Sequence, residues 1–70
     1  MYINMLALKL KRVKKNLTQE KLSQKSGVGR VTISNIERNG IENTPVAVLR
    51  KLAKALDTTV PELFFSDDEE

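Results

Sequence analysis

Arg30, Val31, Ser34 and Asn35 fall at i, i+1, i+4 and i+5, a spacing that groups all four on one face of a helix. Their chemistry suits the edges of DNA bases. Arg can bond guanine O6 and N7, Asn can pair with adenine, and Val can touch a thymine methyl, while Ser adds a short hydrogen-bonding group. No acid stands among them. Arg30 leads as a base reader. Ser34 and Asn35 could equally bond a phosphate, and Val31 could be an ordinary exposed valine.

Such a face works only if something holds its helix at a fixed angle. Ile33 and Ile36 lie opposite it and supply the inward side of a helix over about Arg30–Arg38, which Asn39–Gly40 stops. Before it, Thr18 is an N-cap type for a second helix anchored by Leu22. Ser26–Gly27–Val28–Gly29 holds two glycines and reads as a tight turn. Two helices joined by such a turn are the anatomy of a helix-turn-helix, whose second helix enters the major groove.

The flanking chain reads as three more helices and no strand. Helix 1 is expected from about Asn4 to Lys15, ended by Asn16 in the left-handed conformation. Its rotation is open, because Leu6, Leu10 and Val13 share one stripe while Met5 and Leu8 lie nearly opposite. Thr44–Pro45 reads as a cap with proline at the first helical position of helix 4. Leu49, Leu52, Ala53 and Leu56 then form its amphipathic stripe. Val60–Pro61–Glu62 starts a last short helix ending near Phe65.

Charge is split along the chain. Residues 1–38 carry net +7 and residues 39–70 net −4, with four acids in the terminal run Asp67–Glu70. A basic half points to a polyanion. The 70 residues hold no Cys and no His, which removes thiolate zinc sites and the commonest general base. No catalytic residue, metal or cofactor is expected, and an enzyme is close to excluded. No apolar run nears the roughly 20 residues that cross a bilayer, and residues at the start of the sequence lack the basic region, apolar run and small-residue cleavage site of a signal peptide, so a cytoplasmic protein off the membrane is expected.

The strings ALKLKRVKKNLTQEKLSQ, SGV, TISNIERN and LRKLAKALDTTVPEL resemble the phage repressor/Cro-type (XRE-like) helix-turn-helix regulators over about residues 6–65. The resemblance implies an all-α, five-helix lambda-repressor-like fold with the helix-turn-helix formed by helices 2 and 3. The domain would span 1–66, with 67–70 as a solvated acidic tail. It implies a homodimer on a near-palindromic double-stranded DNA operator, acting as a transcriptional regulator and most simply a repressor. The source would be bacterial or phage-encoded, with the protein held at the nucleoid by DNA. Carried onto this chain, the base-facing positions are Arg30, Val31, Ser34 and Asn35. Gln19 would touch phosphate and brace the recognition helix. Arg38 and Asn39 would contact the backbone after it, joined by Thr18 and Gly29 at the two helix N-termini. This chain departs from the family pattern at Ser23, where an alanine packs, at Ser26, where an aliphatic residue is usual, and at Gly29, where Ser or Thr caps.

Glu37 follows Ile33 by four residues and leans toward the core. The resemblance sets Arg12 opposite it as a buried structural ion pair; otherwise the two are unrelated surface charges. Leu63, Phe64 and Phe65 crowd the last helix; Leu63 reads as core, and Phe64 or Phe65 is expected to be left for a twin subunit, the alternative being simple core packing. A different class of function, an antitoxin-like or protein-interaction module on the same fold, is disfavoured by the basic, polar, acid-free recognition face.

Overall fold

The computed structural model describes residues 7–65, which form five helices: α1 (Ala7–Lys14), α2 (Gln19–Ser26), α3 (Arg30–Asn39), α4 (Val46–Ala55) and α5 (Val60–Phe64). No strand occurs among the described residues. The architecture is the expected all-α five-helix fold, with α2 and α3 as the helix-turn-helix. The start of helix 1 at Asn4, with Met5 and Leu6, and the acidic run Asp67–Glu70 lie outside the described residues.

Local chemistry cuts the chain into these pieces. Thr18 is extended, and its hydroxyl accepts the Lys21 N–H at 3.0 Å to open α2. Gly27 closes α2 at φ 80°, a left-handed conformation that glycine adopts without a Cβ penalty, and its N–H bonds the Ser23 carbonyl. Ser26 then finds a use that an aliphatic residue lacks: its Oγ accepts the Val28 N–H at 3.1 Å and stiffens the turn. Gly29 is the N-cap of α3 with no side chain to bond the free N–H groups, and Gly40 closes that helix. Asn16, at φ 59°, ends α1 as its residue type suggests.

Helix 4 starts one residue later than the Thr44–Pro45 pattern indicates. Pro45 is itself the N-cap, extended at ψ 144°, and its carbonyl accepts the Val48 and Leu49 N–H groups at 3.0 and 3.3 Å. The Thr44 N–H is turned back to the Ile41 carbonyl at 3.0 Å, which closes the loop and leaves proline as the first residue able to face the helix.

Leu8, Leu22, Ile33, Leu52, Leu56 and Phe64 are the largest fully buried side chains. Val28, Ile36, Leu49, Ala53, Ala55 and Leu63 complete the core, so the stripe read along helix 4 is its buried face. α3 packs on α1 and α2, α2 also packs on α4, and α5 fits between α1 and α4.

The structure settles the rotation of α1. Leu8 is fully buried, whereas Leu10 and Val13 are 62% and 54% exposed. The residue that joins Leu8 on the inner face, four positions on, is Arg12. Phe64 corrects an expectation: at 1% exposure it belongs to the core and cannot offer surface to a twin subunit. Phe64 is the largest fully buried side chain of a core otherwise made of aliphatic residues, and one phenyl ring contributes more burial than any of them. Phe65 is half-buried and packs against the same core.

Candidate nucleic-acid interface

With Ile33 and Ile36 buried, α3 has no freedom to roll, and its opposite face is turned outward. Arg30, Val31, Ser34, Asn35 and Arg38 of α3 line one shallow, open depression together with Gln19 of α2. Val31 is 74% exposed, which for a valine leaves its methyls free to be covered. Ser34 and Gln19 are half-buried; Arg30, Asn35 and Arg38 are exposed. Arg38 Nη2 donates to Ser34 Oγ at 3.4 Å across one helical turn.

Gln19 is not a loose surface amide. Its Nε2 donates to Glu37 Oε1 at 3.0 Å. The same carboxylate takes the Arg12 guanidinium on both oxygens, Nε to Oε2 at 2.7 Å and Nη2 to Oε1 at 3.0 Å. Arg12 Nη1 donates its remaining reach to the Leu17 carbonyl at 2.7 Å. The Arg12 and Glu37 side chains are only 10% and 6% exposed. The Arg12–Glu37 pair thus joins α1, the loop before α2, α2 and α3. Burial pushes the Glu37 carboxyl up, but the hydrogen bonds from Arg12 and Gln19 and the charges of Arg12 and Lys9 outweigh it and hold it below its ordinary value. The only acid of α3 is therefore ionised and already paired, and the outer face keeps its positive balance.

The remaining residues expected at phosphates are placed differently. Thr18 is exposed, with its hydroxyl oxygen accepting the cap hydrogen bond. Gly29 is exposed at the start of α3, beside Arg30. Asn39 lies away from the depression, in a second open groove with Gly40, Glu42, Asn43 and Thr44. Asn35 reaches both hollows. The sequence reading missed this second groove, although Asn35, Asn39 and Asn43 repeat every four residues and could have signalled it. It also missed the Gln19–Glu37 bond as such, having no signal for which acceptor a first-turn glutamine would find.

No cluster of His, Cys, Asp and Glu able to hold a metal ion occurs among the described residues, and none of the described helices is long and apolar enough to cross a membrane.

A family model described as Helix-turn-helix matches residues 8–63. An uncharacterized HTH-type transcriptional regulator of Archaeoglobus fulgidus is 39% identical over 59 residues, covering 84% of this chain and 83% of that protein. Control protein C.SmaI of Serratia marcescens is 46% identical over 48 residues, covering 69% of this chain and 56% of that protein. Among solved structures, a chain of the SinR protein/SinI protein complex superposes with a TM-score of 0.77 at 32% identity, over 84% of this chain. The chain spans only 57% of that neighbour's length. These matches cover the α2–turn–α3 unit and the core that orients it, and relatives of this kind are DNA-binding regulators rather than enzymes. This chain belongs to the XRE-type helix-turn-helix family of transcriptional regulators.

Proposed function

We propose that the chain is a repressor that lays α3 in the major groove of a specific double-stranded DNA site. The observation that carries this reading is the grouping of Arg30, Val31, Ser34 and Asn35 with Gln19 and Arg38 on one acid-free face. Phosphates would be met first, by Gln19, Arg38, Asn39 and the N-terminal N–H groups at Thr18 and Gly29. Arg30, Val31, Ser34 and Asn35 would then read base edges, with Arg30 suited to guanine and Asn35 to adenine. Arg12 and Glu37 hold the frame and touch no base.

Two copies on a near-palindromic operator would double the contact and fix the half-site spacing. Phe65 and the end of α5 remain the part of the dimer surface expected from the sequence once Phe64 is assigned to the core. Binding over a promoter would block polymerase, in the cytoplasm and at the nucleoid. No cofactor enters this scheme.

Titrating a duplex at increasing salt tests it. A dimer making 6–10 phosphate contacts loses roughly 10³–10⁵ in affinity between about 50 and 200 mM salt. An isotherm that does not move across that range would transfer the case to a protein-interaction module on the same fold.

A further inference from the structure

With α3 in the major groove, as proposed above, we infer that Arg38 is a positioning residue that turns the Ser34 hydroxyl proton toward the DNA, so that the base beneath Ser34 is selected for a major-groove acceptor and against cytosine. Ser34 and Arg38 are one turn apart on the same face, and Arg38 Nη2 donates to Ser34 Oγ at 3.4 Å. A guanidinium has donors and no acceptor, so the direction of this bond cannot reverse. The serine oxygen receives, and its own proton points away from the arginine. Among the hydrogen bonds of the described residues that proton has no acceptor of its own; it is available to a ligand.

The surroundings push the same way. Both charged residues of the depression, Arg30 and Arg38, are cationic, and the two amides there, Gln19 and Asn35, are neutral. Glu37, the one carboxylate of α3, is held by Arg12 and Gln19 on both oxygens and turned off the outer face. A cytosine N4 amino group in this spot would meet positive charge and compete with Arg38 for the serine oxygen. Guanine N7 and O6, adenine N7 and thymine O4 would each meet the serine proton. Sequence reasoning makes Arg38 a phosphate contact only, and the two roles have different signatures. A phosphate contact weakens all sites evenly. A positioning residue alters preference at one base pair.

The experiment is selection of bound duplexes from a randomised pool by the full chain, with wild type, Ser34→Ala, Arg38→Met and Arg38→Lys in parallel. All the substituted side chains are exposed or half-buried, and helical circular dichroism checks that each variant folds. In the wild-type sites one half-site position is depleted of cytosine. Ser34→Ala relaxes that position alone, by about 2- to 12-fold, the value of one hydrogen bond. Arg38→Met readmits cytosine at the same position, whatever it does to overall affinity, and Arg38→Lys, which keeps a cationic donor, retains part of the depletion. If wild type enriches a motif but neither Ser34→Ala nor Arg38→Met changes any single position, the inference fails while the major-groove reading stands. If Ser34→Ala relaxes the position and Arg38→Met does not, Arg38 has no positioning role. If wild type enriches no motif, the major-groove reading falls and takes this inference with it.

Discussion

Arg12 and Glu37, 25 residues apart in sequence, meet through two hydrogen bonds of 2.7 and 3.0 Å in a setting almost closed to water. This contact decides more than its own energy. It turns α1 so that Leu8 faces the core and Leu10 faces out, and it leaves Gln19 an acceptor that holds it beside α3.

Removing one partner should therefore be far worse than removing both. Arg12→Met strands a buried carboxylate and frees the Leu17 carbonyl, at a cost of roughly 3–5 kcal/mol. The double variant Arg12→Met, Glu37→Met replaces two charges by apolar groups of similar length and should recover most of that loss. Urea denaturation of the four proteins of this cycle measures both. Additive losses in the double variant would mean the pair is not coupled.

Acid should expose the same carboxylate. Glu37 titrates below its ordinary value of 4.5 in the folded chain and at the ordinary value when unfolded. Folding thus favours the ionised form. Its contribution is fully present above about pH 4.5 and is lost as pH falls through the folded value. The urea midpoint of wild type is expected to drop on acidification below that point, and Glu37→Gln to show a smaller drop over the same range. Parallel curves for the two proteins would contradict the assignment.

Gly29 offers the opposite kind of change. Its backbone, at φ −60° and ψ 145°, suits any residue, and a Cβ there would meet only the Thr32 hydroxyl at 3.9 Å. A serine hydroxyl could take an N–H group that glycine leaves unbonded. Gly29→Ser should raise stability by a few tenths of a kcal/mol, read as a small upward shift in melting temperature. A loss of stability would show that the cap has less room than the backbone indicates.

Much of this fold was legible in the sequence because its signals were local. Caps and stops such as Thr18, Gly27, Asn16 and Gly40, and the stripe Leu49–Leu52–Ala53–Leu56, depend on neighbours within a turn or two. The roll of α1 did not depend on neighbours, and apolar spacing pointed equally to Leu10 and to Leu8. A charged residue, Arg12, broke the tie through a partner on α3. Phe64 was misread for a related reason: whether a ring is buried depends on the gap between α1 and α4, which no property of residues 63–65 reveals. On the recognition face, the residue types and their shared side were readable in advance. The bond from Arg38 to Ser34 and the separation of Asn39 into another groove required coordinates.

The roll of α1 gives a direct contrast between neighbours. Leu8→Ala should cost about 2–5 kcal/mol by opening a cavity in the core. Leu10→Ala, at an exposed site, should stay within about 0.5 kcal/mol of wild type. Equal losses from the two would place Leu10 against something that the fold alone does not supply.

The central claim is that the outer face of α3 reads DNA sequence, and the most direct test is selection of genomic fragments by wild type beside Arg30→Ala at two salt concentrations. The account predicts that wild type enriches a near-palindromic site. Arg30→Ala should lose that preference and keep weak, salt-sensitive binding. Enrichment of the same site by both proteins, with equal strength, would contradict it.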